Sequence, residues 1–169
     1  AGDRKQDVVV RAYAVQHMRP WYEVTRDPAL KQAFLDLLEE RDSEISGGAL
    51  LALRRLSEQF PQEFDAAWVG RRAAAGLAGD SGAHVLSRVS ALQVATLLRA
   101  PETADAARRI VVEGSGHTAL RLAALAALGE LGSWSDLPLL RELDGGRPPL
   151  SGAARTAAAK LMKRQKNNI

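Results

Sequence analysis

Four stretches of this chain place a small residue and two further apolar residues at one spacing, and that recurrence limits what the chain can fold into. Ala124, Leu128 and Leu131 are matched by Ala49, Leu53 and Leu56, by Ala91, Ala95 and Leu98, and by Ala154, Ala158 and Leu161. Ala14 and Met18 add a looser fifth copy, and successive leading alanines stand 35, 42, 33 and 30 residues apart. Offsets of four and three put these residues on one face of a helix. The small residue lets two helices approach closely, and the apolar residue a turn later fills the space beside the contact. A period of this length points to a stacked array of helix pairs, each too small to bury its own core.

Composition agrees: 30 Ala and 24 Leu among 169 residues are strong helix formers, and only 5% of the chain is aromatic. The breaks fall at Pro, Gly, Asp and Ser clusters. A first helix, about 7–18, is expected to end at Arg19-Pro20-Trp21, and a second to start after Asp27-Pro28, a capping residue followed by proline at the first helical position. Ser43 opens a third helix to about Gln59, and a fourth covers 66–78. Others cover about 84–99, 103–113, 118–131, 136–143 and 151–163. The reading is one domain over 1–169, with 1–6 a flexible N-terminus and 164–169 a basic C-terminal tail.

Arg121 through Gly132, followed by Asp136-Leu-Pro-Leu-Leu-Arg-Glu-Leu143, resembles the HEAT-repeat family, particularly the short bacterial type also seen in phycobilisome lyase-like repeats. The resemblance extends from about residue 7 to residue 163, with the first two copies longer and degenerate. It implies an all-α superhelix of about four helix pairs plus a C-terminal capping helix. It also implies a scaffold that binds another macromolecule on a concave face made by the second helix of each pair. Function does not travel with a fold of this kind, so the site has to be argued from residues.

On those second helices the doublets Arg71-Arg72 and Arg108-Arg109 recur, with Arg141 on the next and Lys31 on the first. Lys31, Arg71, Arg72, Arg108, Arg109 and Arg141 are therefore the expected contacts to a protein partner. The alternative is anion or nucleic-acid binding by the same strip. A cofactor-lyase-like role is a remote third, implied by the resemblance alone. Charge is uneven: residues 1–65 hold nine Lys/Arg against twelve Asp/Glu, and residues 66–169 hold fourteen against eight. That balance is modest for a phosphate-dominated binder.

Catalytic constellations are weak. The absence of cysteine removes thiolate metal sites and Cys nucleophiles. Ser115 and His117 in Gly-Ser-Gly-His lack the strand that a nucleophile elbow needs. His84 and His117 sit at helix starts, where Asp80 or Asp105 could join them as metal ligands but no third His is nearby, and His17 reads as a cation near the end of the first helix. Glu39 and Glu40 read as solvated surface, and Asp42 or Ser43 with Glu44 as capping chemistry. Trp21-Tyr22 and Trp134 fall in expected loops, either sealing the stack or anchoring a partner. The expectation is a binding protein rather than an enzyme, with no metal and no cofactor.

The longest nearly apolar stretch, Ala119–Leu128, contains Arg121 and falls short of the roughly 18–20 residues of a membrane span. Ala1-Gly-Asp-Arg-Lys-Gln has no apolar run behind it, so a signal peptide is expected to be absent or already removed. Compartment and oligomeric state stay open.

Overall fold

The computed structural model describes residue 3, residues 5–114 and residues 116–167. Among these residues nine α-helices follow one another: α1 (Val8–Thr25), α2 (Pro28–Leu37), α3 (Ile45–Gln59), α4 (Ala66–Ala73), α5 (Val85–Leu97), α6 (Thr103–Glu113), α7 (Thr118–Leu131), α8 (Leu137–Asp144) and α9 (Leu150–Lys166). Helix α4 continues into a π-helical turn, Ala74–Ala78, and a 3₁₀ turn, Trp134–Asp136, leads into α8. The described residues contain no strand. None of the helices is long and apolar enough to cross a membrane.

Helix starts follow local chemistry. The carboxylates of Asp7, Asp27 and Asp65 accept from the amides of Val9, Ala29 and Ala67, each at 2.8 Å. Helix α3 lacks such a cap and is served from a neighbour. Ser87 of α5 accepts from the Gly47 amide at 3.0 Å and from the Ser46 hydroxyl at 2.9 Å, and donates to the Ser43 carbonyl at 2.8 Å. The local cap expected at Asp42 or Ser43 survives as a long contact, the Ile45 amide donating to the Ser43 hydroxyl at 3.4 Å, and the shorter bonds come from a hydroxyl 44 residues from Ser43.

Odd-numbered helices form a ladder in which α1 packs on α3, α3 on α5, α5 on α7 and α7 on α9. The even-numbered helices lean on that row: α2 on α3, α4 on α3 and α5, α6 on α7, α8 on α9. Among the described residues the one sustained contact between even-numbered units is made where the π turn meets α6. The aligned alanines Ala49, Ala91, Ala124 and Ala154 are all fully buried, as are Leu53, Ala95, Leu128 and Leu161. Two contacts are closer still. A Cβ on Gly47 would lie 2.9 Å from Ser87 Cα, and one on Gly129 would lie 2.9 Å from Ala157 Cα.

Several expectations change. Helix α1 does not end at Pro20 but runs five residues further, to Thr25, with Arg26 left-handed (φ 54°) as its C-cap. Proline removes one amide donor, yet Tyr22 on the following turn is buried and donates its hydroxyl to Glu63, so packing outweighs the lost bond. Trp21 is accordingly helical and exposed, and His17 is mid-helix, its ring edge-on to Tyr13 at 4.2 Å. Glu40 is not solvated surface: it is 6% exposed and accepts from Arg11, itself 6% exposed, at 2.5 Å. Helix α9 extends to Lys166, three residues past the expected end at 163, and Arg164 donates to the carbonyls of Gly129 and Gly132 at the end of α7.

The two kinds of glycine predict opposite outcomes. Gly129→Ala should lower stability by about 1 kcal/mol, because overpacking against the α9 backbone outweighs the gain in helix propensity. Gly152→Ala, with nothing within 4 Å of the added carbon, should raise it by about 0.5 kcal/mol. Thermal denaturation of the two variants checks both signs.

Candidate functional site

Three of the six predicted cations are committed inside the fold. Lys31 donates to the Glu63 carbonyl at 2.7 Å and lies 5.1 Å from the centre of the Phe64 ring. Arg72 pairs with Glu39. Arg108 reaches both oxygens of Asp136, at 2.6 and 3.2 Å, and Asp105 at 2.6 Å. Its guanidinium therefore ties α6 to the turn before α8. Arg71, Arg109 and Arg141 are exposed and make no ion pair among the described residues. The Arg109 guanidinium lies over the π turn, 3.3 Å from where a Cβ on Gly79 would stand.

Asp136 is 1% exposed. Burial by itself would raise its pKa, but the Arg108 hydrogen bonds, the Ser133 amide at 2.8 Å and the Arg108 charge together hold it below the usual carboxylate value. Asp80 is likewise held low, first by the Gly82 amide and then by Arg41 at 3.0 Å. Tyr22 is pushed up to about 12 by burial, by its hydrogen bond to Glu63 and by that carboxylate's charge. Its phenol stays protonated at neutral pH and serves as a donor.

Two concave surfaces stand out. Over the odd-numbered helices three depressions run into one another. One of about 420 Å³ between α1 and α3 and one of about 370 Å³ that adds α5 share Val15, Gln16 and Gly48. A third, of about 360 Å³ over α3, α5, α7 and α9, joins the first at Leu51 and Arg54. The floor of this trough includes Leu51, Leu86, Leu92, Leu97, Ala123 and Ala126, and Leu51, Leu86 and Leu97 are 41%, 47% and 63% exposed. Its charged lining is Arg19, Arg54, Arg55 and Lys160 against Glu44 and Glu130.

The second surface belongs to α4. A cleft of about 410 Å³ is lined by Arg41, Trp68, Arg71, Arg72, Ala75 and Gly76. Of these, Arg71 and Arg72 were legible as candidates from the repeated doublet. Arg41 was not, because it comes from the turn between α2 and α3 and no repeat position marks it. The trough was missed as well, since it is made by residues that read individually as stray apolar positions on the first helices.

The remaining constellations do not assemble. His84 and His117 occupy the N-cap positions of α5 and α7 without making capping bonds. No group of three His, Cys, Asp or Glu gathers as a metal set among the described residues. Ser115 lies outside them. Trp68 and Trp134 are 39% and 48% exposed, and Trp21 is 62% exposed. Comparisons with protein-family models, with curated proteins and with solved structures find no match to this chain.

The Arg108–Asp136 tie predicts an acid dependence. A carboxylate whose folded pKa is depressed contributes stability above its unfolded value, near 3.9, that is lost as pH falls through the folded pKa. Asp136→Asn should cost about 1–3 kcal/mol at pH 6, and should flatten the loss of stability below about pH 4. Urea denaturation of both proteins from pH 6 to pH 2 measures this.

Proposed function

We propose that the chain is a non-catalytic binding module of the α-solenoid type, in keeping with its HEAT-like sequence pattern, and that it holds a segment of another protein in the trough over the odd-numbered helices. The observation that carries this reading is continuity: depressions sharing Val15, Gln16, Gly48, Leu51 and Arg54 join into one surface spanning five helices. The packing supports the same face. In a curved two-layer array the inner row has less room between helices, and here the odd-numbered row packs neighbour on neighbour while most even-numbered helices stand apart. The binding face thereby moves from the second helices, where sequence repetition suggested it, to the first.

The lining selects the occupant. Exposed leucines and alanines at helix spacing suit an amphipathic segment with apolar anchors, whereas the cations beside them, Arg19, Arg54, Arg55 and Lys160, pair with Glu23, Glu58 and Glu130 and set no charge preference. Half of the originally expected cations are ruled out as primary contacts on this reading, because Lys31, Arg72 and Arg108 already have internal partners.

A photo-crosslinking residue placed at Leu51 or Leu97 should join the same partner, through a peptide carrying large apolar residues at helical spacing. The same residue at Arg141 should not. Leu51→Glu combined with Leu97→Glu, both at exposed positions, should abolish capture without loss of helicity, whereas Arg71→Glu with Arg109→Glu should leave capture intact. Crosslinking of one partner from Arg141 and from neither trough position would overturn the proposal.

A further inference from the structure

The α4 cleft shares no lining residue with the trough and has a different chemistry. Trp68, Arg71, Arg72, Ala75 and Gly76 stand at offsets of three, four, seven and eight along α4 and its π turn, so one continuous helical face makes one wall. Arg41 closes the cleft from the turn after α2. Ala75 and Gly76 keep that wall low: a Cβ on Gly76 would come within 3.0 Å of the Arg72 guanidinium. The result is an open basin of about 410 Å³, within the roughly 300–1,000 Å³ typical of small-molecule sites.

Three guanidinium groups share this basin, and two of them are balanced by carboxylates. Arg41 pairs with Asp80 at 3.0 Å and Arg72 with Glu39. Arg71 is exposed and makes no ion pair among the described residues. Beside it stands an indole that is 39% exposed. An unpaired planar cation next to an exposed aromatic face offers two recognitions at once, a forked donor for a phosphate and a stacking surface for a flat ring.

We propose that the cleft binds a nucleoside phosphate, its base stacked on Trp68 and its phosphate held by Arg71. A lone carboxylate would use one guanidinium and leave the indole idle, whereas a base joined to a phosphate engages both. The moiety can be a free nucleotide or a residue of a single strand, and the two sources separate by length and salt. This site stands independently of the protein-binding trough.

The test uses the full chain with Trp21→Phe and Trp134→Phe, both at exposed positions, so that Trp68 is the one fluorescent indole. Titration with AMP, adenosine, inorganic phosphate and a twelve-nucleotide single strand should show quenching by AMP or the strand, with adenosine and phosphate each much weaker. Arg71→Gln should weaken that binding by about tenfold or more, and Arg141→Gln, an exposed arginine outside the cleft, by less than about twofold. Retained helicity in both variants confirms that the fold is intact. AMP binding as tight as the strand assigns the site to free nucleotide, while tighter strand binding that weakens steeply with salt assigns it to nucleic acid. No quenching by AMP or the strand at millimolar concentration would overturn the proposal. Equal effects of Arg71→Gln and Arg141→Gln, or phosphate binding as tightly as AMP, would also overturn it.

Discussion

Backbones of the odd-numbered helices meet almost directly, and the rest of the structure is arranged around that closeness. At the α3–α5 and α7–α9 crossings the space beside Gly47 and Gly129 would admit no Cβ without moving the opposite backbone. Between and beyond them the buried alanines Ala49, Ala91, Ala124 and Ala154 maintain the same proximity. A helix brought this close offers its neighbour polar atoms as well as methyl groups, which is how Ser87 serves the start of α3 from another helix. Residues small enough for such contacts bury little area each. The core therefore draws its size from Leu50, Leu53, Leu56, Leu92, Leu125 and Leu128, side chains that radiate from the crossings and are themselves fully buried.

The odd-numbered row and the buried faces of the even-numbered helices are held by packing, and charged and polar side chains add ties between distant segments. Arg11 to Glu40, Arg72 to Glu39, Arg41 to Asp80, Arg108 to Asp136 and Tyr22 to Glu63 each join segments 28 to 41 residues apart. Their value depends on burial. Arg11 and Glu40 exclude water and would be costly to separate, whereas Arg41 with Asp80 is partly solvated and contributes less. An arginine on the polar face of a helix thus has two possible uses, and the structure divides the predicted strip between them.

This division explains what was legible in the sequence. Helix number and most boundaries were readable because Asp-Pro, Gly-Asp-Ser-Gly and Pro-Pro act on the local backbone. The alanine register was readable because it recurs. Pro20 misled for the opposite reason: its local cost is real, but Tyr22 and its reach to Glu63 lie 41 residues apart, and no local rule weighs that contact. Glu40 looked solvated beside Glu39 and Asp42, yet its partner Arg11 is 29 residues upstream. The strip Lys31, Arg71, Arg72, Arg108, Arg109 and Arg141 followed from repetition, which marks equivalent positions on helices but not which of them a carboxylate elsewhere has already claimed.

The unclaimed cations decide where the even-numbered layer can still gain by binding. A ligand anion approaching Arg72 or Arg108 must displace Glu39, Asp105 or the buried Asp136, so the gain is reduced by the bond it breaks. At Arg71 no such exchange is required, and Arg41 and Arg72 keep their carboxylates. Affinity there is thus concentrated in one guanidinium and selectivity in its surroundings. Those surroundings are set in part by the π turn, whose Gly76 leaves room for the Arg72 guanidinium to lie against the backbone. The same small-residue rule that brings odd-numbered helices together operates here beside α4, with an arginine side chain in place of a second helix.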